Sequence, residues 1–179
     1  MRALVVHESM FGNTRAVAQE VAAGLATWCD VDVVPVAQVQ PRQVADADLL
    51  VVGTPTHAWG LPSPKTRQGA VEQTSPAKGL LLEPGATGPG VRELLTGVAG
   101  AGRAAAAFDT RICMLSMVTG RASVRIARAL RRRGWRVVTS PESFLVTKQT
   151  QLVAGELERA RAWGAGLSVA RADAEDQTV

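Results

Sequence analysis

The stretch ALVVHESMFGNT, residues 3–14, decides how this chain reads. Its first half, Ala3 to Glu8, is apolar and carries β-branched valines, the composition of a strand buried on both faces. Its second half, Ser9-Met10-Phe11-Gly12-Asn13-Thr14, is short, mostly polar and contains a glycine. Beyond it the apolar residues recur every fourth position, at Val17, Val21 and Leu25, which predicts a helix from Asn13 to about Trp28. A strand that turns directly into a helix leaves the first-turn N–H groups without intrahelical acceptors. The helix dipole adds partial positive charge there, so a phosphate fits at the turn. Gly12 permits close backbone approach, and Ser9, Asn13 and Thr14 supply small hydrogen-bonding side chains. The loop holds no lysine, which excludes a P-loop ATPase, and no GxGxxG, which weighs against a dinucleotide fingerprint. A plain capped helix, with Asn13 or Thr14 as the cap, is the alternative reading of the same loop.

Working outward, strand-like and helix-like segments alternate. VDVVPV, from Val31 to Val36, predicts a second strand, and Pro35 inside it predicts a sheet edge, because proline cannot donate to a ladder. A short helix or turn follows near Val44, then a third strand from Asp48 to about Gly53. Alanine-rich Gly102–Phe108 predicts a fourth, and Trp135–Val146 a fifth interrupted by Pro141. Helices are expected at about 90–99, 121–133 and 152–171, the last with Val153, Leu157, Ala160, Gly164 and Leu167 on one face. From Leu61 to Gly90 the pattern breaks into roughly thirty residues of low periodicity, a length that marks a functional or mobile loop. The whole predicts an α/β fold with a parallel sheet covered on both faces and right-handed crossovers. It is read as one domain over residues 1–172 with a polar, flexible tail at 173–179.

Composition bounds the function. No apolar run in the 179 residues approaches the roughly 20 needed to span a bilayer. The first strand begins almost at Met1, which leaves no space for a signal peptide ahead of it. Cys29 and Cys113 read as reduced thiols, so the expected setting is cytoplasmic. The histidines and cysteines show no metal-ligand spacing. Net charge is +4, but residues 121–133, RASVRIARALRRR, hold six arginines and no acid. Arg121, Arg125, Arg128 and Arg132 fall in one stripe at helical spacing. That is either a solvated helix face or a surface that steers an acidic redox partner. Nucleic-acid binding has little support, since no aromatic residue interleaves the arginines.

Two further motifs lie where a doubly wound sheet binds ligands, at the carboxyl ends of its strands. The third strand ends in Gly53-Thr54-Pro55-Thr56-His57-Ala58-Trp59-Gly60. A flat heterocycle bound there needs apolar or π surfaces on its faces, and His57 and Trp59 can supply them. The fourth strand ends in Phe108-Asp109-Thr110-Arg111, whose backbone can close a pocket from the other side.

In order, VVHESMFGNTRAVA, GTPTHAWG and AAAFDTR resemble the flavodoxin-like family, and the likeness runs on through PESFLV and GELERARAWG. The resemblance implies a doubly wound three-layer sandwich around a five-stranded parallel sheet of order 2-1-3-4-5, holding FMN. By family pattern Ser9, Phe11, Asn13 and Thr14, with the backbone of Met10 and Gly12, take the phosphate. Thr56, His57 and Trp59, with Pro55, Ala58 and Gly60 around them, flank the flavin. Asp109 and its neighbours Phe108, Thr110 and Arg111 meet the pyrimidine edge. The implied function is FMN-based electron transfer. An alternative is a small FMN-dependent NAD(P)H:quinone-type reductase, which the aromatic Phe11 resembles more closely. Another is a flavodoxin-fold binding module that has lost FMN. Counting His57, Lys65, Arg67 and Arg111 against Asp109, with Glu83 and Glu93 as further acids in reach, also predicts a less reducing flavin than in an acidic flavodoxin. Protonation of His57 would add to that below its reference pKa of about 6.5.

Overall fold

The computed structural model describes residues 1–57, 60–75, 80–114 and 119–176, with side chains described as far as Leu167. In chain order the elements are β1 (Arg2–His7), α1 (Asn13–Leu25), β2 (Asp30–Pro35), α2 (Pro41–Asp46), β3 (Leu49–Pro55) and α3 (Pro64–Glu72). They continue with α4 (Val91–Gly97), β4 (Ala104–Ile112), α5 (Ala122–Arg132), β5 (Arg136–Val137), β6 (Glu142–Val146) and α6 (Glu156–Asp176).

All the paired strands are parallel, in the order β2-β1-β3-β4-β5, with β6 also against β4. Short β5 and β6 therefore share the fifth position as one interrupted strand, and Pro141 falls in the break, as its missing N–H requires. Pro35 ends β2, which pairs only with β1 and forms the edge that the proline predicts. The central strands are buried on both faces, and their alternate residues feed two cores. Ala3, Val5, Leu49, Val51, Ala104 and Ala106 pack against α1 and α6 with Phe108 and Phe144. Leu4, Val6, Leu50, Val52, Ala105 and Ala107 pack against α2, α4 and α5 with Trp135.

Two segments differ from the sequence expectation. The fourth strand runs four residues beyond Phe108, to Ile112, because β3 extends alongside it to Pro55 and β6 pairs with Phe108–Ile112. The irregular region after Leu61 contains α3. Its signal is local rather than periodic. Ser63 Oγ accepts from the Thr66 N–H at 3.2 Å, and Thr66 Oγ1 accepts from the Ser63 N–H at 2.8 Å. Pro64 opens the helix with the right φ. Its buried residues, Arg67 and Ala70, do not read as an apolar stripe.

The helix layer on the α1 side depends on close backbone approach. A Cβ on Gly164 would lie 2.2 Å from Val21 O, and one on Gly24 would lie 2.1 Å from Arg161 O. Helix propensity alone favours Gly164→Ala by about 1 kcal/mol. The clash has the opposite sign, and forcing α1 and α6 apart costs about 1–3 kcal/mol. Gly164→Ala is therefore expected to lower the urea midpoint of unfolding; a raised midpoint would contradict this packing.

Candidate functional site

Because every strand runs the same way, the loops after β1, β3 and β4 meet at one edge of the sheet, and a cleft of about 440 Å³ opens there. Such a volume suits a small organic ligand. The first loop contributes Ser9, Met10, Phe11, Asn13 and Thr14; the end of β3 contributes Pro55, Thr56 and His57; the end of β4 contributes Thr110, Arg111 and Ile112. Helix α3 supplies a further wall with Thr66, Gly69, Ala70 and Gln73, and Val146 and Thr150 close the side beyond β6.

At the first loop, Gly12 has φ +89°, a left-handed conformation that L side chains rarely adopt. Its N–H donates to Ser9 Oγ at 3.1 Å. The α1 first turn contains no acidic residue of its own, and the Glu83 carboxylate near Gly12 is paired with Arg15 Nε at 2.8 Å. Thr14 and Thr110 join their hydroxyls at 2.8 Å across the base of the cleft. Asn13 Nδ2 donates to Thr150 O at 2.8 Å, so this amide ties down the far wall of the cleft.

The other predicted residues have varied placements. Thr56 N–H donates to Thr110 O, and its Oγ1 accepts from Ala122 N–H at 3.0 Å, capping α5. His57 and Gly60 exchange two backbone hydrogen bonds. Ala58 and Trp59 lie outside the described residues. Phe108 and Asp109 do not line the cleft. Phe108 is fully buried with its ring edge-on to Phe144 and Trp163. Asp109 is equally buried, and its Oδ2 accepts from the Ser123 N–H at 2.7 Å in the first turn of α5. Successive residues of β4 point to opposite faces and both faces are covered, so Phe108 enters the core on the α1 and α6 side while Asp109 is buried under α5. Sequence reasoning missed the α3 wall, for which the Ser63–Thr66 capping box is the available signal. It also missed Thr150, which has none beyond its place after β6.

Beneath the cleft lies a buried ionic cluster. Arg67 and Glu8 side chains are each 3% exposed, with Nη1 3.4 Å from Glu8 Oε1. Arg67 Nη2 lies 3.1 Å from Glu93 Oε2. Glu8 Oε2 also accepts from Val91 N–H at 2.8 Å and Thr54 Oγ1 at 3.2 Å. Burial holds the Glu8 carboxyl above the usual range, although these donors and the guanidinium pull against it. The more exposed Glu93 is also pushed up by burial, but its bonds to Arg67 and Gly90 win and hold it below the usual range. Burial, then the Arg67 charge, lowers the His57 pKa, so this imidazole is neutral at pH 7 and its protonation lies further into acid than the reference value suggests. Burial raises the Asp109 pKa. The cation count expected around the cleft thus shrinks: Arg67 is matched by two carboxylates, and Arg111 is the charged side chain that lines it. Arg111 Nη1 donates to Met114 O at 2.6 Å, while its buried Nε–H has no acceptor among the described residues.

The residues fit a phosphorylated flat heterocycle such as FMN. A dipole-bearing, acid-free helix start with neighbouring hydroxyls suits the phosphate. Met10, Phe11, Pro55, Ala70, Ile112 and Val146 suit the faces of a ring, and the Arg111 Nε–H, without an acceptor among the described residues, offers a donor for a polar edge.

A flavodoxin family model matches residues 5–84. The sheet order is the flavodoxin one, and solved flavodoxins superpose over nearly the whole chain. The chain has the flavodoxin-like fold. A flavodoxin from the domain Archaea aligns with TM-score 0.64 and 21% identity, covering 93% of this chain and 96% of that one. Flavodoxin 2 from Bacillus cereus aligns with TM-score 0.65 and 15% identity, covering 97% and 99%. A flavodoxin, WrbA-like protein from Agrobacterium tumefaciens aligns with TM-score 0.60 and 16% identity, covering 95% and 97%. At such identities the likeness shows the fold. No curated protein matches by sequence. Among the described residues no helix is long and apolar enough to cross a membrane.

One buried group gives the site a measurable signature. His7, at the end of β1, is 4% exposed, and burial followed by the Arg15 charge lowers its pKa to about 4. The folded state therefore binds the proton less well than the unfolded state. Stability is complete above about pH 6.5 and lost as pH falls toward 4. Between pH 7 and 5 the loss through this group is about 2 kcal/mol. In urea unfolding, the stability difference between wild type and His7→Gln should shift by that amount, against the wild type, over the same range. A constant difference would show that His7 titrates normally.

Proposed function

We propose that this chain, over residues 1–172, holds one FMN in the cleft at the carboxyl ends of β1, β3 and β4 and serves in electron transfer, in a cytoplasmic setting. The observation that carries the reading is the cleft itself: it opens directly on the first turn of α1, and its walls mix apolar surfaces (Met10, Phe11, Pro55, Ala70, Ile112, Val146) with hydroxyl, amide and cationic groups. FMN supplies, when bound, the redox chemistry that no side chain here offers. The chain's part is binding and tuning. First-turn N–H groups of α1, with the hydroxyls of Ser9 and Thr14, hold the phosphate. Met10, Phe11 and Pro55 exclude water from the ring, beside the neutral imidazole of His57. Arg111 adds a cation, which favours negative charge on a reduced ring and makes the cofactor less reducing.

A second reading, a small NAD(P)H:quinone-type reductase, gains from α3. This helix brings Thr66, Gly69, Ala70 and Gln73 to the cleft and enlarges the wall available to a flat acceptor. For a protein partner, the exposed arginines of α5 offer an acidic surface a place to dock. Arg121 is not among them, since its guanidinium bonds Ser143 Oγ and Pro141 O. Arg125, Arg128 and Arg132 remain exposed, and Arg125 lies against Gly60, so the stripe begins at the loop after β3 and runs away from it.

Protein purified with added FMN and then desalted should keep flavin absorbance near one equivalent per chain. Turnover of NAD(P)H with a quinone would then select the reductase. A folded sample that retains no flavin would overturn the cofactor assignment in favour of a flavodoxin-fold binding module.

A further inference from the structure

Helix α3 forms a wall of the cleft, yet its contact with the sheet edge is unusual: beside Ala70, the residue it buries is an arginine. The Arg67 guanidinium reaches past the cleft floor to Glu8, the residue before Ser9, and to Glu93 in the first turn of α4. The same two carboxylates cap α4, Glu8 through Val91 N–H and Glu93 through Gly90 N–H. Space around the clamp is fully taken, since a Cβ on Gly90 would lie 2.4 Å from Arg67 Nη1 and 2.6 Å from Glu8 Oε2. Arg92 of α4 adds a second tie, donating to Leu61 O and Pro62 O just ahead of α3. The wall-forming residues Thr66 and Ala70 lie on either side of Arg67 along the helix, so a shift of that guanidinium moves the wall.

We propose that Arg67 is a positioning residue for the cleft: clamped between Glu8 and Glu93, it holds α3 where a ligand ring needs its fourth wall. The inference rests on the FMN reading for the ligand, but the clamp itself is independent of it. Arg67 touches neither the ring nor the phosphate in this scheme; it acts through α3. A neutral residue at the position leaves Glu8 buried without its cation, so α3 undocks for part of the time and apparent affinity falls by the docked fraction. The phosphate subsite, on α1 and the first loop, is untouched.

The test combines amide hydrogen exchange with flavin titration. In the ligand-free protein, Arg67→Met should raise exchange in residues 64–72 while the protection of β1, β3 and β4 stays as in wild type. FMN and riboflavin should then both bind about tenfold more weakly, by the same factor, if a tenth of the molecules keep α3 docked. Ser9→Ala, by contrast, should weaken FMN and leave riboflavin nearly unchanged. Arg67→Lys, which keeps a cation, should restore part of the loss. If Arg67→Met fails to fold, the double variant Glu8→Gln/Arg67→Met removes both buried charges, and Glu93→Gln removes only the outer arm; each should raise exchange in residues 64–72, together with the first turn of α4 that these carboxylates cap. Unchanged exchange in 64–72 would overturn the clamp whether or not flavin binds. Loosened α3 with unchanged riboflavin affinity would overturn its role in the cleft. Wild type that binds neither flavin, with α3 still loosened by Arg67→Met, would retain the clamp and overturn the FMN reading and the ligand role built on it.

Discussion

Parallel pairing is the constraint on which the rest of this molecule depends. Once β1 lies parallel to β2 and β3, and β3 to β4, each strand must deliver its following loop to the same edge. The register then fixes which residues share a level: His7 stands beside Gly53 and Pro35, and Gly53 beside Phe108. The Ser9 loop and residues 55–57 and 110–112 follow within a few residues of those levels, while α3 and Thr150 close the cleft from further along the chain. The crossover helices are equally bound, because both faces of the sheet are apolar and must be covered.

Much of this was legible in the chain. The valine run before Ser9, the fourfold spacing after it and the edge proline at Pro35 are direct physical signals, and each corresponds to what the fold contains. So is Pro141, which splits the fifth strand position between β5 and β6. Helix α3 was not legible from periodicity because its buried side is made by Arg67 and Ala70, and no hydropathy pattern marks a buried arginine. The residues of β4 show the limit from the other direction. FDTR reads as a loop-edge tetrapeptide, yet β4 continues between β3 and β6 with both faces covered, which buries Phe108 and Asp109 on opposite sides and leaves Thr110 and Arg111 at the cleft.

The charges tell a similar story. A count along the sequence places several cations around the cleft; in three dimensions the nearest of them are spent. Arg67 is held between two carboxylates and Arg15 lies 2.8 Å from Glu83. Histidines at 7 and 57 are discharged by burial, with nearby arginines adding to the effect. What reaches the cleft as net positive character is the Arg111 side chain and the dipole of α1. Sequence gives the inventory of charge, and burial decides how much of it a ligand meets.

The bond from Asn13 to Thr150 O, with the one from Thr14 to Thr110, joins the opening turn of the chain to segments made about 100 residues later or more. Neither the portion matched by the flavodoxin model nor any other early stretch contains the cleft, since its last wall arrives only with the β6 connection. A ligand that fits there recognises a finished chain and ignores a partial one. Its binding energy is added to the completed fold alone, so occupancy of the cleft would stabilise the whole chain rather than any one part of it.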